Sequence, residues 1–230
     1  MLFKFICLAV FLLLSSATWA IDREDNQTKQ ENEQLIRIFK QIDTIPTRNI
    51  AIQDLKKLSE NDNVMASAAL AVIYFKARHG VKKDTALAKT LAANIFNNGL
   101  ESQVEKNQIA YLQDVLGMLY YHGLGINEDY IKSVRWYRKA AEQGHADGQY
   151  SLGVMYTNGQ GVEKDYKQAV KWYRKAAEQG DADGQVNLGV MYEDGQGVKR
   201  DYVKALQWYK KAKKNAYKDI DKDIKRVLSK

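Results

Sequence analysis

An all-α solenoid of helix-turn-helix repeats is what this sequence predicts, and three observations carry it. Residues 146–181 are followed at once by almost the same text at 182–217, with 20 of 36 positions unchanged, and a looser copy precedes them at 110–145. The period is held by residues that step by 36: Trp136, Trp172 and Trp208; Gly117, Gly153 and Gly189; Asp129, Asp165 and Asp201; Tyr130, Tyr166 and Tyr202. The units are rich in Ala and long side chains and lack the alternation of a strand. A unit of that size and kind is one helical hairpin, which buries its apolar face only by stacking on its neighbours. Such arrays bind along their length more often than they catalyse.

Taken in order, residues 1–20 read as a signal peptide. Lys4 gives a weak positive start, Phe5 to Leu14 an apolar run, and Ser15 to Ala20 small residues before a cut after Ala20, with Ala17 as the alternative site. The run is about half of the roughly 20 residues that span a bilayer, though an uncleaved anchor is the competing reading. Residues 21–30 are polar and aperiodic, a flexible lead-in. Residues 31–62 form an N-terminal helical cap: Leu35, Ile38, Phe39 and Ile42 recur at helical spacing, Pro46 breaks the first helix, and Ile52, Leu55 and Leu58 mark a second.

Residues 63–107 are a degenerate repeat plus an insertion. Gly80 to Gly99 repeats the interval Gly161 to Gly180, which places Asp84 with Asp165, Ala88 with Ala169 and Leu91 with Trp172. The Gly99–Gly117 interval is longer than Gly144–Gly153 by nine residues, so 100–108 is expected to be a loop on one face. Residues 108–215 are the three regular repeats. Residues 216–230 are a basic capping helix in which Ile224, Val227 and Leu228 keep the register while Lys225 replaces the glycine of the full units.

Within a regular unit, Leu152, Gly153 and Tyr156 share one face of the first helix, and Ala169, Trp172, Tyr173 and Ala176 line the second. A mid-helix glycine costs roughly 0.5–1 kcal/mol relative to alanine, so its recurrence implies a close approach, expected here to be Trp172 against Gly153. Asn158 to Val162 supplies glycines for a left-handed helix end and a tight turn. Asp165 caps the second helix and Asp181 the next first helix.

The formal charge is +7. From Lys199 to Lys230 there are 12 Lys or Arg against 4 Asp or Glu, so the excess falls at the carboxyl end, as a solvated cap or as a weak contact with an anionic membrane. Cys7 is the only cysteine and lies in the signal segment, so the mature chain has no disulfide or thiol chemistry. Asn26-Gln27-Thr28 is a glycosylation sequon that matters only in a eukaryote; the short signal suits a bacterium, with a periplasmic or secreted location. His79, His122 and His145 have no partners at metal-ligand spacing, and no nucleophile elbow, phosphate loop or HExxH segment is present. No catalytic residue, cofactor, metal or nucleic-acid partner is therefore expected.

The residues Leu152, Gly153, Tyr156, Gly159, Gly161, Val162, Asp165, Tyr166, Ala169, Trp172, Tyr173, Lys175, Ala176, Ala177 and Gly180 spell a pattern that resembles the Sel-one-like repeat, a relative of the tetratricopeptide repeat. The match is specific over 109–213 and weaker over 63–99. The resemblance implies a right-handed α-solenoid that acts as a binding scaffold or adaptor. Gly148 and Gly184 stand where the family commonly has alanine, which should loosen the first turn of those helices. Some secreted relatives are disulfide-stapled and linked to β-lactam binding or hydrolysis; without those cysteines that activity is not carried over.

By register with tetratricopeptide grooves, the ligand-facing positions are Tyr111, Asp114, Met118, Tyr121 and His122; Asp147, Tyr150, Val154, Thr157 and Asn158; and Asp183, Val186, Val190, Glu193 and Asp194. These positions differ among units while the packing positions do not. Both a groove with site-specific contacts and drift of a solvated face produce that contrast. As a groove it is aromatic at its amino end and acidic along its length, which favours a peptide or protein partner with basic and apolar side chains. The expected function is an exported protein-interaction scaffold. The alternative is a cell-wall hydrolase or a binder of peptidoglycan fragments or β-lactams.

Overall fold

The computed structural model describes residues 29–30, 33–38, 41, 48–61, 63–77, 81–215 and 220–230. The signal peptide, most of the lead-in, the Pro46 break, Gly80, His79 and the start of the capping segment lie outside the described residues. The protein is an α-solenoid, with twelve helices and no strand among the described residues. They are α1 (33–38), α2 (Arg48–Glu60), α3 (Val64–Lys76), α4 (Thr85–Asn97), α5 (Leu100–Asn107), α6 (Ala110–Tyr121), α7 (Tyr130–Glu142), α8 (Ala146–Asn158), α9 (Tyr166–Glu178), α10 (Ala182–Asp194), α11 (Tyr202–Lys214) and α12 (Asp221–Leu228).

Two compact units divide within α2, at residue 55. In the first, Leu35 and Ile38 of α1 and Ala51, Ile52 and Leu55 of α2 are buried, as their helical spacing requires. In the second, α3 with α4, α6 with α7, α8 with α9 and α10 with α11 form hairpins, and α7 on α8 and α9 on α10 join hairpin to hairpin.

Each hairpin closes on the same bonds. The carboxylates of Asp84, Asp129, Asp165 and Asp201 accept the amides of Leu87, Lys132, Gln168 and Lys204, capping the second helices. The backbone amides of the same aspartates donate to the carbonyls of Tyr74, Tyr120, Tyr156 and Tyr192. The degenerate unit is thus a full structural repeat. Its loop is one residue longer between Tyr74 and Asp84 than the loops of the others, which puts Ala71 and Ala92 where the regular units have glycine and tyrosine.

The recurring glycine meets tyrosine and not tryptophan. A Cβ on Gly117 would stand 2.6 Å from the Tyr137 ring, on Gly153 2.6 Å from Tyr173, and on Gly189 2.5 Å from Tyr209. The expected Gly153–Trp172 pairing is corrected accordingly. Neighbouring helical positions point about 100° apart, and here Tyr173 faces the hairpin partner while Trp172 turns aside, its ring lying 4.4 Å below the Lys175 Nζ. Lys139 covers Trp136 at 4.7 Å and Lys211 covers Trp208 at 4.0 Å in the same way.

Gly148 and Gly184 tighten the stack and do not loosen it. A Cβ on Gly148 would lie 2.8 Å from the Ala140 Cβ, and one on Gly184 3.0 Å from the Ala176 Cβ, so these glycines let each first helix approach the preceding second helix. His145 and Asp181 cap the same helices through the amides of Gly148 and Gly184.

A ladder of amides runs along that joint. Buried Gln149 and Gln185 donate to the carbonyls of Ala141 and Ala177. Gln143, Gln179 and Asn215 donate to the side-chain oxygens of Gln113, Gln149 and Gln185, and the last two donors also reach the carbonyls of Gly144 and Gly180. A buried amide left without partners costs about 1–3 kcal/mol, so the ladder fixes the register between units as well as adding to stability.

The 100–108 insertion is a helix, α5, and not the loop expected of it. Leu100 and Val104 are buried, and its face packs on α3, α4 and α6. Glu101 accepts from the Tyr120 hydroxyl at 2.9 Å and the Trp136 indole at 3.3 Å, and Glu105 pairs with Lys139 and Arg135. Apolar residues at the spacing of Leu100 and Val104 give the segment a face to bury. At the other end, Ile220 and Val227 join the core of the last hairpin, and Lys225 and Leu228 are exposed on the side where a full unit has its second helix.

Candidate functional site

The first helices α6, α8 and α10 carry five acidic residues, Asp114, Asp147, Asp183, Glu193 and Asp194, and no Lys or Arg. The second helices α7, α9 and α11 carry four, four and five Lys or Arg, against only Glu142 and Glu178. Charge is therefore divided by layer through the three regular units, whereas the first helix of the degenerate unit, α3, carries Lys76 and no acidic residue.

On the first-helix face, α6 and α8 enclose a cavity of about 240 Å³, lined by Met118, Tyr121, His122, Tyr150 and Val154 together with Lys76, Tyr137, Ser151 and Met155. Five of the fifteen groove positions meet here. The His122 ring packs on Phe75 and Tyr121 at 4.8 Å each, and Tyr121 packs on Tyr130 at 5.5 Å. Burial, followed by the Lys76 ammonium, pushes the His122 imidazole below its ordinary value, so it is neutral at pH 7. The Tyr121 hydroxyl donates to Gln160 Oε1 at 3.3 Å, and Asn158 donates to the same oxygen at 3.1 Å, so Gln160 ties the rim of this cavity to the turn of the next unit. An apolar floor with hydroxyls and a neutral imidazole at its edge suits one apolar or aromatic side chain with hydrogen-bonding backbone around it.

Three more positions, Val190, Glu193 and Asp194, line an open depression of about 510 Å³ beside Arg200, Tyr202, Arg226 and Lys230. Glu193 is almost fully buried and bound internally. It accepts from Arg226 at 2.7 and 2.8 Å and from the Tyr209 hydroxyl at 2.8 Å. The guanidinium outweighs the opposing effect of burial and holds the Glu193 carboxyl below the usual range.

The remaining positions are dispersed. Tyr111 sets its ring edge-on to His145 at 5.9 Å. Asp114 is buried, Asp147 half-buried and Asp183 exposed. Thr157 bonds the Gly153 carbonyl and the Tyr173 hydroxyl, and burial pushes that phenol up to about 12. Val186 packs against the last hairpin's core.

Lys76, Tyr137, Ser151 and Met155 line the cavity without having been read as groove residues. Two signals were available. Ser151 varies among units as Val115, Ser151 and Asn187, as the groove positions do. Lys76 falls on the register position of Asn158 once Tyr74 is aligned with Tyr156. Tyr137 and Met155 carry no such signal, because they recur as packing residues.

Comparison with known proteins gives the same architecture. The family model described as Sel1 repeat matches residues 64–93, 111–145, 146–181 and 182–217. Among solved structures, a protective antigen present in uropathogenic Escherichia coli strains and displaying an SLR fold is 37% identical, covering 72% of this chain and 33% of that one, with a TM-score of 0.54. A Sel1 repeat protein from Oxalobacter formigenes is 29% identical, covering 78% of this chain and 68% of that one, with a TM-score of 0.59. This chain thus spans about a third of the first protein's length. No curated protein matches the sequence.

Proposed function

Because the chain belongs to the Sel1 repeat family, whose members are generally non-enzymatic protein-interaction scaffolds, we propose that it is an exported scaffold that holds a peptide or protein segment on its first-helix face. The observation that carries this is the cavity between α6 and α8, where Tyr121, His122, Tyr150 and Val154 converge. An apolar anchor side chain fills the cavity. Basic side chains of the partner lie toward Asp147, Asp183 and Asp194 on α8 and α10, which carry no cation of their own. The apolar run at residues 5–14 supports export, to the periplasm or beyond the cell.

A displayed peptide library tests the reading. Selected peptides are expected to share an aromatic or aliphatic anchor with flanking Lys or Arg, and Tyr121→Ala with Tyr150→Ala is expected to weaken them at least tenfold with helicity retained, as loss of central aromatic contacts does (about 2 kcal/mol). Unchanged binding in that variant removes the groove assignment. Saturable binding of a muropeptide or a β-lactam, competed by no peptide, supports the cell-wall alternative instead.

A further inference from the structure

We propose that the second-helix layer is a docking surface for a lipid bilayer bearing anionic headgroups, distinct from the first-helix face that takes a protein partner. The outward stripe of α7 consists of Ile131, Arg135 and Arg138, that of α9 of Lys167, Lys171 and Arg174, and that of α11 of Val203, Gln207 and Lys210, at the i, i+4, i+7 spacing of one helix face. Beside it, Lys139, Lys175 and Lys211 are held over the three tryptophan rings, so the ammonium groups recur in fixed places, once per unit.

Two observations favour a bilayer over other anionic partners. Two rows of cations repeat in all three units, Arg138, Arg174 and Lys210 in one and Lys139, Lys175 and Lys211 in the other, although Arg138 and Arg174 also donate to the Tyr156 and Tyr192 hydroxyls of the next hairpin; the row of lysines over the tryptophans presents the same cation three times, which matches a partner that is itself uniform, and not a folded protein with one set of contacts. Ile131 and Val203 stand at the same register position, 74% and 68% exposed, at the head of the cationic stripe. Exposed aliphatic side chains flanking cations can enter the headgroup region of a bilayer and gain nothing from a soluble polyanion. Glu105 neutralises part of the α7 stripe through Arg135 and Lys139, and Asp201 and Asp221 pair with Lys204 and Lys213 of α11, so the attraction rests chiefly on Lys171 and Lys175 of α9 and Lys210 and Lys211 of α11. The basic carboxyl end adjoins that region and adds to it.

Co-sedimentation of the mature chain with vesicles of phosphatidylcholine, with and without phosphatidylglycerol, tests this. Binding is expected only to the anionic vesicles, strong at about 20 mM salt and lost by about 0.5 M. Replacing Lys171, Lys175, Lys210 and Lys211 by Gln is expected to lower the partition coefficient by more than tenfold, since each surface cation is worth about fivefold. Ile131→Ser with Val203→Ser is expected to lower it a further few-fold, with helicity and melting temperature close to the parent in both variants.

Three outcomes overturn the proposal. One is no binding to anionic vesicles at low salt by a helical protein. A second is full binding by the four-fold Gln variant together with loss on changing Lys222, Lys225 and Lys230 to Gln, which places the contact at the carboxyl end alone. The third is binding insensitive to the Ile131 and Val203 changes and competed equally by heparin, which makes the surface a general polyanion binder.

Discussion

The first and second helices of each hairpin share a core but follow different rules on their outer faces. First-helix outer positions change identity from unit to unit: Tyr121, Thr157 and Glu193 occupy one register position, and Met118, Val154 and Val190 another. Two rows of second-helix outer positions hold their chemistry, Lys139, Lys175 and Lys211 in one and Arg138, Arg174 and Lys210 in the next, while the row of Ile131, Lys167 and Val203 does not. In the three regular units the first layer is acidic and differentiated, and the second is basic with two rows that keep their charge. One repeat text thus supplies a face whose chemistry changes at every unit and a face on which two rows of cations recur. The core between them is a ring set against a glycine.

That shared core is where the comparison breaks most readily. Tyr173→Ala removes a buried ring and is expected to lower stability by about 3–5 kcal/mol, read as a fall in the denaturant midpoint, with both faces lost together. Gly153→Ala forces a methyl group into the Tyr173 ring and is expected to cost about 1–2 kcal/mol, the strain exceeding the gain in helix propensity. The same change made on Tyr173→Ala is expected to be neutral or stabilising, and on Trp172→Ala to cost as much as in the parent. Equal relief in the two backgrounds removes the assignment of tyrosine as the glycine's partner.

Smaller effects sharpen the difference between the layers. Glu193→Gln weakens the clamp that α12 closes on the first-helix face and is expected to cost about 1–2 kcal/mol at pH 7. The folded Glu193 carboxyl lies below its unfolded value, so its contribution is complete above the ordinary glutamate value of about 4.3 and disappears as pH falls through that value toward the depressed one. The gap in stability between parent and variant should close over that acid window; a gap that widened there would falsify the clamp. Gln149→Ala opens one rung of the amide ladder, at about 1 kcal/mol. Lys175→Gln on the outer face should stay within about 0.5 kcal/mol, which separates surface function from folding.

The architecture was legible because residues that pack must recur when the packing recurs, and the glycines, aspartates and aromatic rings all step together. What the text could not rank was two adjacent aromatic rings. Trp172 and Tyr173 recur equally, and only the turn of the second helix decides which one meets Gly153. The segment 100–108 has no copy to be compared with, so its burial rests on Leu100 and Val104 alone. Lys76 was hidden by a single extra loop residue that shifted the register of the first helix but not of the second. Glu193 matched its groove register, yet its partner Arg226 comes from a capping helix 33 residues later, and no periodicity announces such a bond.

The amide ladder bears on how such a chain can change length. Gln149 and Gln185 are held alike: each donates to an alanine carbonyl of the preceding second helix and accepts from the amide that ends its own hairpin, Gln179 in one and Asn215 in the other, and a glycine beside each lets the helices approach. A duplicated or excised block of one period therefore leaves no orphaned amide, and the array can gain or lose a unit by recombination without inventing a new interface. The joint at α5 has no such freedom. Its Glu101 holds Tyr120 and Trp136, and at the other end Arg226 of α12 holds Glu193, so a unit is gained or lost between these two joints and not at either of them.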